Sequence, residues 1–244
     1  FDHLARARGV RDVSPGGTHL LLDPFLTKNP ATPSEYKDLA RYHPSHILVT
    51  HSHGDHLGDA VELAKLSKAK VVSVMMLDTF VNKGGLPRDQ IETINVGDQV
   101  TAGDVKIHVV PAMHSSEPSG RPVGYVLEFN DGRTLYEGDT WIFGDMSLIQ
   151  EFYHPNIILI GCGAVADGQY ADGMAYGESL LQAASGYSNA LRRIARVIER
   201  GRHSRRSRKR CASEVYETGR DAKVVASGAW SFWLFNYRLQ RHEF

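Results

Sequence analysis

The sequence predicts an α/β layered fold, with strands and helices alternating around an apolar interior. Three observations carry that prediction. Short runs rich in β-branched and apolar residues recur along the chain, among them His19–Leu22, Ile47–Thr50, Val71–Val74 and Val105–Val110. Segments of helical period stand between such runs, as from Asp59 to Lys68, where residues 60, 61, 63, 64 and 66 are apolar. Turn chemistry separates other strand runs, as at Asn130-Asp131-Gly132. Elements in this alternation bury their apolar faces by stacking in layers.

Taken in order, residues 1–18 show no clean period, and Pro15-Gly16-Gly17 reads as a turn. His19–Leu22 reads as a buried strand ending at Asp23-Pro24. Pro33-Ser34-Glu35 is expected to open a short helix through about Arg41, with Ser34 as its N-cap. The strand Ile47–Thr50 and the helix Asp59–Lys68 follow, then the strand Val71–Val74. Met76–Lys83 is expected to be a helix closed by Gly84-Gly85. Ile91–Ile94, Val105–Val110, Val123–Phe129 and Thr134–Tyr136 read as strands. Asp145–Tyr153 reads as a helix and Asn156–Ile160 as an apolar strand.

Composition narrows the function classes. A chain of 244 residues is long enough for one domain with a large core. Apolar residues at 42% and charged residues at 23% are ordinary for a globular protein. The formal net charge is zero, so no global field argues for nucleic acid or a membrane surface. No apolar run is long enough to span a bilayer. Cys162 and Cys211 make no disulfide framework, and residues 1–18 lack the succession of a signal peptide. A cytoplasmic location is therefore expected. Phe1 is no initiator, so a fragment or a lost start is expected too.

The chemistry concentrates in Ile47-Leu48-Val49-Thr50-His51-Ser52-His53-Gly54-Asp55-His56. Imidazole and carboxylate are the groups that zinc-like divalent ions take as ligands. In an extended or tightly turning segment His51 and His53 project to the same side. Asp55 and His56 follow Gly54, where the chain turns freely, and can face a second ion. A lone histidine reads as a surface or core residue, whereas His-x-His-x-Asp-His straight after a buried strand reads as a metal motif. His114 and Asp139 each stand just past a strand, where a rigid scaffold presents functional side chains.

His51-Ser-His53-Gly-Asp55-His56 resembles the signature of the metallo-β-lactamase superfamily. So do Leu22-Asp23-Pro24-Phe25-Leu26-Thr27, Pro111-Ala112-Met113-His114-Ser115-Ser116, Tyr136-Glu137-Gly138-Asp139-Thr140 and Phe143-Gly144-Asp145-Met146. The branch resembled is that of small bacterial and archaeal metal-dependent hydrolases, over about Gly17 to Gly163. The resemblance implies an αββα sandwich, here incomplete at the C-terminus. It implies that His51, His53 and His114 hold a first ion, that Asp55 and His56 hold a second, and that Asp139 bridges both. Asp55 is also the expected catalytic group. The implied cofactors are two divalent ions, Zn2+ first, with Mn2+ or Fe2+ served by the same donors. Two ions roughly 3.5–4 Å apart share a water and lower its pKa toward 7, giving a hydroxide nucleophile. No Gly-x-Ser-x-Gly elbow competes for that role. The expected function is metal-dependent hydrolysis of a small ester, lactone, amide or phosphodiester. Asp23 either orients a metal-bound histidine or caps the turn before Pro24. Ser115 and Ser116 either touch substrate or satisfy loop backbone.

The C-terminal part departs from this pattern. The family carries a further histidine in a Pro-Met-His-Tyr-Gly segment, and no such segment is present. Arg192, Arg193, Arg196, Arg200, Arg202, Arg205, Arg206, Arg208, Lys209 and Arg210 form a basic run against Glu199 alone. A nucleic-acid-processing hydrolase is the alternative this run raises, although a solvated charge run is its commoner meaning. A catalytically inactive relative is a third reading. Permitted codons for Ser188-Asn189-Ala190-Leu191-Arg192-Arg193-Ile194 encode Pro-Met-His-Tyr-Gly-Ala when read one nucleotide later. A frameshift near residues 175–181 is therefore expected. Residues 1–178 are expected to form the hydrolase domain and 179–244 a basic tail foreign to the family. Trp230, Phe232, Trp233 and Phe235 are then expected to be accidental apolar surface and not a strand.

Overall fold

Five short strands build a first sheet: β1 (Val10–Val13), β2 (His19–Leu22), β3 (His46–Val49), β4 (Lys70–Val74) and β5 (Ile91–Ile94), in that spatial order. β1 and β2 form an antiparallel hairpin, while β2 through β5 run parallel. Parallel neighbours need crossovers that cover the sheet, so their strands become apolar on both faces. Ile47, Leu48 and Val49 in succession are all fully buried for this reason. After a one-turn helix α1 (Gly54–Leu57), α2 (Ala60–Ser67) makes the crossover from β3 to β4. Ala60, Leu63 and Ala64 of α2 pack in one core with Ile47, Val49, Val71 and Phe80.

The structure is a computed structural model, and it describes residues 10–30, 32–74, 78–132, 134–140, 143–155, 157–161, 214–217, 223–226 and 232–236. The chain divides into two units, Phe1–Arg133 with Gly138–Thr140, and Thr134–Glu137 with Trp141–Phe244. In the first unit, β6 (Gln99–Ala102), β7 (Val105–Pro111) and β8 (Val123–Phe129) form an antiparallel meander. Tyr125 of β8 is fully buried, and its hydroxyl reaches the carbonyls of Val49 (2.9 Å) and Val72 (3.2 Å). That hydroxyl ties the meander to the centre of the parallel sheet. The second unit contains β9 (Thr134–Gly138, whose last residue belongs with the first unit), α3 (Met146–Tyr153) and β10 (Ile157–Gly161). β13 (Phe232–Asn236) pairs antiparallel with β10, β12 (Lys223–Ala226) with β13, and β11 (Glu214–Glu217) with β12.

Several expectations need correction. Residues 10–13 form β1, which the arginine-rich sequence hid, because its register is set by pairing with Leu22 through His19. The helix expected over 33–41 is two 3-10 turns, Ser34–Tyr36 and Leu39–Arg41. Pro33 occupies the first N-cap, while the Asp38 side chain accepts from the Ala40 N–H (3.1 Å) and starts a new turn. Asp78–Lys83 is a π-helix, closed by a bond from the Gly84 N–H to the Thr79 carbonyl (2.8 Å). The expected start of that helix at Met76 lies outside the described residues. β6 alternates exposed and buried positions but offers only Val100 and Ala102 as apolar residues, too few to announce a strand. Phe232, Trp233 and Phe235, expected to form no strand, belong to β13. Trp230 and the basic run lie outside the described residues.

Replacing Tyr125 by Phe leaves both carbonyls without their shared donor. It should lower unfolding stability by about 1–3 kcal/mol in urea denaturation, and an unchanged midpoint would remove the tie from the account of this fold.

Candidate metal centre

The ends of β2 and β3 meet at a buried carboxylate. Asp23 follows β2 with a left-handed backbone (φ 44°), and its own N–H donates to the Leu48 carbonyl (2.9 Å). Its carboxylate accepts from the Thr50 N–H (2.8 Å) and the Thr50 hydroxyl (2.6 Å). The next loop is held just as closely. A Cβ on Gly58 would lie 2.2 Å from the Pro24 carbonyl oxygen, and Gly58 has φ 41°, so only glycine fits. Asp59, beside it, accepts from the N–H groups of Leu26 (2.7 Å) and Thr27 (2.9 Å) and from the Thr27 hydroxyl. The chain after β2 is thus laced to the start of α2, and the turn bearing the histidines has little room to move.

Out of that turn His51 and His53 come together, with His51 Nε2 2.8 Å from His53 Nδ1. The His51 ring centroid stands 4.5 Å from that of His53, 4.0 Å from His56 and 4.8 Å from His114. His114 arrives from the loop after β7. Among the described residues, His51, His53 and His114 form a group whose donor atoms lie within 4.8 Å of one another. Three imidazoles at that spacing match the donor set of a zinc-like ion.

Asp139 is delivered by β9. Gly138 passes so close to Gly124 that a Cβ there would stand 3.0 Å from the Gly124 Cα, and the Thr140 hydroxyl accepts from the Met113 N–H (2.8 Å). His56, on α1, lies between two carboxylates, its Nδ1 2.7 Å from Asp23 and its Nε2 3.1 Å from Asp139. Burial alone would lower the His56 pKa, but the charges and hydrogen bonds of Asp139 and Asp23 raise it to about 10. His51 is driven the other way, to about 3, by burial first and then by the positive His56. Burial also lowers His114, against the pull of Asp139 and Asp55. Burial would raise the Asp23 carboxyl, but His56 first, then His51 and the Thr50 hydroxyl, hold it below its usual value. Without an ion the cluster therefore combines neutral His51 and His114 with a protonated His56. Three converging imidazoles, with Asp139 3.1 Å from His56 beside them, form a donor set that fits a metal.

Not every expected residue joins the cluster by the same measure. A second triplet of close donors is Asp23, His51 and His56, but both Asp23 oxygens are already occupied by Thr50 and His56. Asp23 thus orients His56 and does not merely cap a turn. Asp55 and Asp139 fall in neither triplet among the described residues. Asp55 acts at longer range, through its charge on His114. Ser116 satisfies loop groups, donating to the Ser119 carbonyl (2.8 Å) and accepting from the Ser52 N–H (3.3 Å). Ser115 instead places its hydroxyl 3.1 Å from His53 Nε2. Thr50, Ser52 and Asp59 fall within the stretch that carries the resemblance, but the sequence assigned them no role, although each directly flanks a motif residue or glycine.

The family model of the β-lactamase superfamily domain matches residues 18–199. The chain belongs to the metallo-β-lactamase superfamily. It is 37% identical over 154 residues to a UPF0173 metal-dependent hydrolase of Pyrobaculum aerophilum, covering 63% of this chain and 68% of that one. A UPF0173 metal-dependent hydrolase of Nitratidesulfovibrio vulgaris is 40% identical over 157 residues, 63% of this chain and 64% of its own. The chain thus matches about two thirds of the length of these curated relatives. Igni18, a metallo hydrolase from Ignicoccus hospitalis, superposes with a TM-score of 0.58 at 27% identity, over 73% of this chain and 75% of that one. CmlA, a diiron β-hydroxylase from Streptomyces venezuelae, shares the fold at a TM-score of 0.54 and 16% identity, over 69% and 36%. The UPF0173 relatives and Igni18 place the superfamily member among the metal-dependent hydrolases. Among the described residues no helix is long and apolar enough to cross a membrane.

The His56 pKa gives a pH test on chelator-treated protein. A pKa raised from 6.5 to about 10 contributes stability that is fully present below about pH 6.5 and disappears as pH rises through 10. Urea midpoints should therefore fall between pH 7 and about pH 10, and should fall less in His56→Gln. A flat wild-type profile would contradict the charge arrangement.

Proposed function

We propose that the chain hydrolyses a small ester, lactone, amide or phosphodiester, and that His51, His53 and His114 would hold Zn2+, Asp55 and His56 would hold a second divalent ion, and Asp139 would be shared by both. The observation that supports this reading is the convergence of the three imidazoles within 4.8 Å, beside a buried carboxylate–histidine pair. Divalent ions bound there would act as Lewis acids on the scissile carbonyl or phosphoryl oxygen and lower the pKa of water toward 7.

The chain's own groups do the rest. Burial lowers the proton affinity of both His51 and His114, which favours bare nitrogen lone pairs on their rings. Asp139, 3.1 Å from His56 Nε2, brings negative charge to the point where cations would otherwise repel one another. Asp55 is the catalytic carboxylate in this reading, taking the proton given up by the attacking water. The buried Asp23 keeps the His56 ring from turning. Met113, exposed beside His114, offers an apolar surface to a small organic substrate. Two cysteines without a disulfide pattern support a reducing compartment such as the cytoplasm.

Metal content per chain, measured with hydrolysis of a panel of ester, lactone and phosphodiester substrates, tests the proposal. His53→Ala should abolish tight binding, because two imidazoles hold zinc far less firmly than three. Unchanged stoichiometry in that variant would sink the three-histidine assignment. Asp139→Asn should leave one ion tightly bound and weaken the other, and two undiminished sites in a metal titration would contradict the bridging role.

A further inference from the structure

We propose that the Thr50 hydroxyl is a positioning group that locks His51 as the Nδ1–H tautomer, with the Nε2 lone pair aimed into the histidine cluster. This rests on the metal-centre reading above and adds a residue outside the ligand set. It follows from counting donors. A threonine hydroxyl has one hydrogen to give and lone pairs to receive with. Thr50 Oγ1 lies 2.6 Å from Asp23 Oδ2 and 2.9 Å from His51 Nδ1, and both Thr50 and His51 are 1% exposed. The Asp23 carboxylate already takes the Thr50 N–H on one oxygen and His56 Nδ1 on the other, so it stands as an acceptor. The Thr50 hydrogen therefore goes to Asp23. Toward His51 the hydroxyl can only accept, which requires the hydrogen of a neutral His51 to sit on Nδ1. Nε2 is then bare, and it is the atom that lies 2.8 Å from His53 Nδ1.

The same count explains the neighbouring serine. With His51 Nε2 bare, the metal-free His53 donates from Nδ1, so its Nε2 accepts from the Ser115 hydroxyl 3.1 Å away. For His53 to offer Nδ1 to an ion, its hydrogen must move to Nε2, and the Ser115 hydroxyl then turns to accept it. The protons balance: one leaves Nδ1, one arrives at Nε2, and the hydroxyl reverses. His51 is the fixed member of the pair and His53 the adjustable one. One buried carboxylate thereby sets two rings, His56 directly and His51 through a hydroxyl.

Two-bond proton–nitrogen correlation spectra of the histidine rings in chelator-treated full chain read the tautomer directly. Wild type should show His51 with hydrogen on Nδ1 and none on Nε2. Thr50→Val, close in shape, should lose that signature and weaken Zn2+ affinity by about 10–100-fold in competition with a chromophoric chelator. Thr50→Ser should restore both. Wild-type His51 found with its hydrogen on Nε2 would overturn the proposal, and that result stands even where Thr50→Val does not fold. An unchanged His51 signature and Zn2+ affinity in folded Thr50→Val would overturn it as well. Wild-type chain with the stated tautomer but no bound Zn2+ would instead overturn the metal-centre reading.

Discussion

A carboxylate removed from water is costly unless donors surround it, and Asp23 is a carboxylate at 1% exposure. Its compensation is local: the N–H and hydroxyl of Thr50 and the imidazole of His56. Those partners come from the end of β3 and from α1, while Asp23 itself ends β2. Satisfying one buried charge thus obliges three pieces of chain to meet at one point. The left-handed backbone at Asp23, unusual for a residue with a side chain, persists because these bonds over-determine it. The placement of His51 and His56 follows from that junction.

Charge in the cluster is arranged by neighbours as much as by burial. His56 and His51 stand 4.0 Å apart by ring centroid, yet their proton affinities are displaced in opposite directions. The difference lies in what touches each ring. His56 has a carboxylate at either nitrogen, whereas His51 meets a hydroxyl and another imidazole. One positive ring beside two neutral ones offers lone pairs on one side and a replaceable positive charge on the other.

Most of the strands and the second helix were legible because their signals are local. β2, β5 and β8 coincide with the apolar runs that announced them, and α2 with its helical period. β1 and β6 were not legible, since each exists by virtue of a partner strand and contains too little apolar sequence of its own. The histidine motif was plain from residue type and spacing, and so was the position of His114. Thr50, Ser52 and Asp59 were not. A hydroxyl or carboxylate next to a motif is common, and only the fold shows which donor it meets. The π-helix at Asp78–Lys83 escaped for a similar reason, because five-residue bonds leave no distinctive period in so short a segment.

The loop between β7 and β8 divides its residues by task. Ser116 and Ser119 fasten it to Ser52, between His51 and His53 of the motif, using hydroxyls and backbone groups. Met113, Glu117, Gly120 and Arg121 remain on the surface. An attachment made by small polar anchors is indifferent to what the neighbouring exposed positions carry. Substitutions at those positions can thus remake the exposed face beside His114 without breaking the bonds that hold the loop to Ser52.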